Sequence, residues 1–166
     1  VSDANPELLE KRSSELGVTA QPDNVSLLNN SDIVVFAVKP QVLSVVCHEL
    51  KNKASTDQLF VSIVAGIKSK DINRWLGGDF ALVRTMPNTP ALFQSGVTGL
   101  YANELVNDIQ KESVNLLLSA VGECFWVNEE NLLDAITAIS GSGPAYFFLM
   151  MQSMKQAAMA LGLDED

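Results

Sequence analysis

Histidine is almost missing from this chain: His48 is the one imidazole in 166 residues, and cysteine occurs twice, at Cys47 and Cys124. Metal centres and thiol-redox motifs need such residues in close, repeated spacing, and none is present. The two thiols sit in apolar contexts and read as reduced core or half-buried side chains of a reducing compartment. His48 follows Cys47 on an amphipathic segment and reads as a surface side chain, not as a ligand or catalytic base. Positive charge is scarce as well. Eleven Lys and Arg face 20 Asp and Glu, for a net charge of −9. Such a surface repels a polyphosphate backbone, and no basic cluster reverses this locally, so no nucleic-acid partner is expected. The longest apolar runs, such as 33–38, are far shorter than a bilayer crossing, and no signal-like segment opens the chain. A soluble, cytoplasmic protein without a membrane partner is the expectation.

What the chain does contain is ordinary for a globular protein, with 47% hydrophobic and 19% charged residues, and its length is enough for one domain with a core of its own, or for one domain and part of another. Asn5-Pro6-Glu7 is an N-cap, a proline at the first helical position and an acid in the first turn. That helix should end at Gly17, with a short strand at 18–20 and a short helix capped by Asp23 or Asn24. Residues 33–38 suit a strand buried on both faces, followed by a helix from Pro40 with Val42, Leu43, Val46 and Leu50 on its inner face. Further strands are expected at 59–64, 80–84, 96–101 and 123–127. Between them lie a helix capped by Ser69 and a long one over 105–121. This alternation predicts an α/β, doubly wound, mostly parallel sheet.

From Glu129 onward the period is helical. "SGSGPAY" interrupts it, and 146–161 is apolar around most of its circumference. That helix needs cover which nothing else in the chain provides, so a missing C-terminal part or a second subunit is expected to supply it. Both ends read as cut. Residues 1–6 resemble a strand entering a helix, and 163–166 resemble the cap of a further helix.

In open parallel sheets, ligands bind beyond the C-terminal strand ends. The residues collected there are 2–5, 37–40, 65–66 and 85–90, short loops in which backbone N–H groups can approach phosphates and Lys39 adds a cation. "RTMPNTP" stands out, because two prolines stiffen the loop around Asn88 and Thr89. The Gly-x-Gly-x-x-Gly fingerprint of a dinucleotide fold is absent. The nearest cluster, Gly141-Ser142-Gly143-Pro144, lies between helices. Either the fingerprint precedes Val1, or the domain binds no dinucleotide.

Four stretches occur in order: "DNVSLLNNSDIVVFAVKPQ", "FVSIVAGI", "VRTMPNTPALFQSGVTGLY" and "AISGSGPAYFF". Together they resemble pyrroline-5-carboxylate reductase across essentially the whole chain. The resemblance implies a Rossmann-like dinucleotide domain over 1–128, lacking its N-terminal glycine-rich βαβ unit. It also implies the start of an all-α dimerisation and substrate domain over 129–166, lacking a Pro-Gly-Gly-Thr-Thr motif. Carried onto this chain, it places Ser2 and Asn5 at the adenosine 2′-phosphate of NADPH and Asn24 at the ribose-phosphate region. Ala37, Val38, Lys39 and Pro40 would line the adenosine and pyrophosphate side, with Ile63, Val64 and Ala65 beside the nicotinamide half. Asn88 and Thr89 would face the nicotinamide, and Glu130 would help position the substrate's ring nitrogen. Many relatives carry Arg where this chain has Asp3, and an acid there suits NAD. NADP is expected, with NAD as the other candidate.

The implied reaction is hydride transfer to the C=N carbon of 1-pyrroline-5-carboxylate, giving L-proline in a homo-oligomer assembled through the C-terminal helices. A protonated imine is already electrophilic, so positioning is the protein's main task, and no residue is nominated as acid, base or metal ligand. Two other readings remain: a non-catalytic dinucleotide-binding or dimerisation module, and another Rossmann-type reductase. The latter calls for a catalytic Lys or His after the sheet, where only Lys155 occurs.

Overall fold

In a computed structural model describing residues 1–164, five strands form one sheet: β1 (Ile33–Phe36), β2 (Leu59–Ser62), β3 (Ala81–Met86), β4 (Gly96–Ala102) and β5 (Gly122–Trp126). Their order in space is their order in the chain. The pairs β1–β2, β2–β3 and β4–β5 are parallel, and β3–β4 is antiparallel. The helices are α1 (Pro6–Leu16), α2 (Asn24–Asn29), α3 (Pro40–Leu50), α4 (Ser69–Leu76), α5 (Asp108–Ser119), α6 (Leu132–Ile136) and α7 (Gly143–Ala160).

The one antiparallel step decides which face each helix covers. Parallel crossovers are right-handed, so α3 and α4, joining β1 to β2 to β3, fall on the same face. After the chain reverses at β4, the same handedness puts α5 on the other face. The two cores follow this rule. One holds Leu28, Leu43, Cys47, Leu50, Ile72 and Leu76 over Val34, Phe36, Phe60 and Leu82. The other holds Val114 over Leu59, Val61, Ala81, Val83 and Leu100. Phe60 anchors the first core, stacked on Phe36 at 5.6 Å between centroids and edge-on to Phe80 at 5.4 Å.

Several local expectations need correcting. β1 is buried on one face only: Val34 and Phe36 are inside, but Val35 is 43% exposed because α5 covers the sheet no farther than β2. The inner stripe of α3 is Leu43, Cys47 and Leu50, with Val42 displaced to its solvent edge. Ser69 is the first residue of α4 and not its cap, and its amide hydrogen is taken by Glu130. α5 starts at Asp108 behind a capping box of Asn107 and Gln110. "SGSGPAY" does not break the helix, since a π-turn (Thr137–Gly141) carries α6 almost continuously into α7. Val1 and 19–21 are too short to count as strands, yet they exchange two bonds of 2.7 Å in a parallel pattern.

Other signals hold. Asn5 and Asp23 cap α1 and α2, and Gly17 ends α1 at φ 63. α7 closes on Gly162 with a bond from Leu163 N to Ala158 O. Of the cap signal at 163–166, residues 165 and 166 lie outside the described residues. Residues 132–160 are long and apolar enough, by length and composition, to cross a membrane, which the short unbroken runs did not suggest. The same test is passed by core and interface helices. α7 leaves Phe147, Phe148, Met150, Met151 and Met154 all more than half exposed.

Burial pushes the Cys47 thiol from 9.0 up to about 12. The unfolded chain loses this proton near pH 9 while the folded chain keeps it. Folding stability is therefore expected to fall as pH rises from 9 towards 12. Urea midpoints measured on either side of pH 9 check this, and the decline should weaken in Cys47→Ala.

Candidate cofactor and substrate site

A cleft of about 350 Å³ lies between residues 2–4 and the open edge of β1. Ser2, Asn24, Ala37, Val38 and Lys39, all expected cofactor residues, line it together. Lys39 occupies the cap position of α3 without a side-chain cap bond, and Pro40 is the first-turn proline. In that first turn Pro40 has no N–H and Val42 N donates to Lys39 O at 2.9 Å, which leaves Gln41 N to meet an anion beside the Lys39 cation. The opposite wall is more committed. Ser2 Oγ donates to Asn24 Oδ1 at 3.0 Å, and Asn24 Nδ2 donates to Glu49 Oε2 at 2.8 Å, so both ends of that amide are used. Asn5 is not in the lining. Its Oδ1 accepts from Glu7 N and Leu8 N, and its own N–H is held by Asp3 Oδ1 at 2.8 Å. This donor set suits ribose hydroxyls and one phosphate; no glycine-rich cradle for a pyrophosphate occurs among the described residues.

The second group lies where β2 and β3 end. Ile63 N–H extends the ladder to Phe36 O, leaving its side chain 36% exposed, while Val64 is buried and Ala65 half-buried. Asn88 acts as a strut. Its Oδ1 accepts from Val97 N at 2.9 Å, and its Nδ2 donates to Ser140 Oγ at 3.1 Å in the π-turn. Thr89 opens a 3₁₀ turn (Thr89–Phe93) and is exposed. None of residues 63–65, 88 or 89 lines the first cleft. Thr85, which belongs to the 85–90 set, and Thr98, which the sequence did not single out, have hydroxyls buried without a hydrogen-bond partner among the described residues. A buried orphan hydroxyl costs about 1–3 kcal/mol.

The third group centres on Glu130. Its Oε1 accepts from Arg84 Nη1 at 3.0 Å and from Ser69 N at 2.6 Å. The Arg84 side chain is only 5% exposed, so the pair is largely desolvated. Tyr101 sits across from Arg84 in the β3–β4 register, and burial, then the charges of Glu130 and Glu104, push its phenol pKa up. Arg84 and the Ser69 amide were also missed. The available signal was a lone arginine inside an otherwise apolar strand.

Residues 130–166 match the family model described as pyrroline-5-carboxylate reductase dimerisation, and residues 1–66 match that of NADP oxidoreductase, coenzyme F420-dependent. The chain is 45% identical to the pyrroline-5-carboxylate reductase of Pseudomonas aeruginosa, over 99% of this chain and 60% of that one. A pyrroline-5-carboxylate reductase structure from Coxiella burnetii superposes with a TM-score of 0.90 at 40% identity, covering 99% of this chain and 62% of the other. A Plasmodium falciparum pyrroline carboxylate reductase with NADP bound gives a TM-score of 0.82 at 32% identity, covering 89% and 56%. The chain thus spans about 60% of the length of such relatives.

Proposed function

From a chain that belongs with the pyrroline-5-carboxylate reductases over the roughly 60% of their length it spans, we propose NADPH-dependent reduction of 1-pyrroline-5-carboxylate to L-proline by the full-length gene product. One observation supports it most directly. A carboxylate, Glu130, is pinned where the helical segment meets the ligand end of the sheet, beside the two segments suited to a nicotinamide. When bound, the nicotinamide supplies hydride to the C=N carbon. The protein's share is placement. Lys39 and the first turn of α3 attract phosphate, and Ser2 Oγ keeps its acceptor lone pairs for the adenosine ribose while Asn24, bonded at both ends, holds it in place. Ile63, Val64 and Ala65 form an apolar wall. Asn88 holds the proline loop against β4 and the π-turn, keeping Thr89 in place. Glu130 attracts the cationic ring nitrogen, which needs no further proton and hence no general acid.

The same reading assigns 1–128 to dinucleotide binding and 129–166 to the start of a helical dimerisation and substrate domain, in a cytoplasmic homo-oligomer. The bare apolar circumference of α7 supports this assembly, since such a surface is covered in a stable protein. Asp3 in the cleft favours ribose hydroxyls and leaves NAD as the competing cofactor. The test follows NADPH and NADH oxidation by the full-length gene product with 1-pyrroline-5-carboxylate. Turnover with NADPH preferred is expected. Absence of turnover with either nucleotide overturns the reductase reading.

A further inference from the structure

We propose that Arg84 and the Ser69 amide form a cradle that positions Glu130, and that this cradle sets how tightly the substrate's ring nitrogen is held. The inference rests on the reductase reading of Glu130.

Both donors converge on one oxygen, Oε1, and Oε2 has no hydrogen-bond partner among the described residues. A glutamate left to itself samples many rotamers, and fixing it in one costs side-chain entropy. Two donors from different elements meet that cost before any ligand arrives. Their burial makes them effective, because Arg84 is 4% exposed and Ser69 8%, and charge-assisted bonds strengthen away from water. A buried ion pair is a poor source of stability compared with an apolar side chain in the same strand. Its value here is geometric. Ser69 opens the helix that follows the 63–66 turn, Arg84 lies four positions before Asn88 on the strand feeding the proline loop, and Glu130 lies in the turn two residues before α6. One carboxylate oxygen therefore registers the nicotinamide wall, the proline loop and the helices against each other.

Two substitutions in the full-length gene product separate positioning from plain structural support. Ser69→Pro keeps the helix, because proline is favoured in the first helical turn, but it removes the donor and sets its ring in the place of the amide hydrogen, which displaces the Glu130 oxygen now 2.6 Å from N. Lys68 already has the extended geometry that precedes proline, with φ −77 and ψ 151. Arg84→Met deletes the other donor, and Arg84→Lys keeps a cation without the fork. The substrate KM is expected to rise about tenfold in Arg84→Met and roughly threefold in Ser69→Pro, with partial recovery in Arg84→Lys and the NADPH KM held within about twofold. If Arg84→Met does not fold, the other two variants decide. A substrate KM unchanged in the folded variants overturns the proposal, and so does an equal rise in both KM values, which marks general loosening. Lack of turnover by the unsubstituted protein overturns the reductase reading instead.

Discussion

Phe60→Ala is expected to remove about 3–5 kcal/mol of folding stability, a large share of what a domain this size possesses. Phe60 is fully buried on the central side of β2 and touches two aromatic partners, stacked on Phe36 and edge-on to Phe80. The truncation loses the transfer free energy of a benzyl group. It also leaves a cavity that cannot collapse, because the ring lies between two strands on either side and α3 and α4 above. Phe60→Leu keeps most of the volume and should lose much less. Urea denaturation followed by circular dichroism checks both, with a lower midpoint at an unchanged slope as the expected result. A Phe60→Ala midpoint within error of the parent would show that the first core is not organised around this ring.

Gly122→Ala should be comparably damaging for a different reason, costing about 3 kcal/mol or more from combined strain and overpacking. Gly122 has φ 146, which side chains with L chirality rarely adopt, and a Cβ there would overlap the Gly96 carbonyl. The two glycines are register partners at the first rung of the β4–β5 ladder. Nothing nearby can give way, since the obstacle is backbone. Gly17→Ala is the control. It also has positive φ, but no atom lies within 4 Å of the added methyl, so only about 1–2 kcal/mol of strain is expected. Trp126, on the affected strand, gives a local fluorescence signal, whereas Trp75 on α4 is remote from the change. Equal losses in the two variants would mean that backbone conformation alone, and not collision, governs Gly122.

Strands and helices were legible where they depend on neighbours in sequence. The runs at 33–38 and 59–64 announced buried strands, and Asn5, Gly17 and Gly162 marked helix ends that the structure keeps. What escaped depends on partners far along the chain. Nothing local to residues 69–76 shows that the first amide of α4 is capped by a side chain 61 positions later. Asn24 and Asn88 were legible as polar residues near a ligand end. Their amides prove to be committed on both sides, to Ser2 and Glu49 and to Val97 and Ser140, which only tertiary packing could decide. The bare face of β1 escaped for a related reason. An apolar run reports what a strand could bury, not whether this chain brings a helix to cover it.

The sheet whose spatial order repeats its chain order also bears on how the protein is made. Each strand pairs with the strand synthesised just before it, so no pairing has to wait for a distant segment. Loop-closure entropy is met in small instalments, and sheets built from sequence neighbours reach their native pairing faster than those built from remote ones. On a ribosome, β1 and β2 can associate through α3 before β4 has been translated. The sheet does not cover α7, the last of these elements to emerge, so its Met- and Phe-rich surface stays exposed to other nascent chains until a further segment or subunit packs on it.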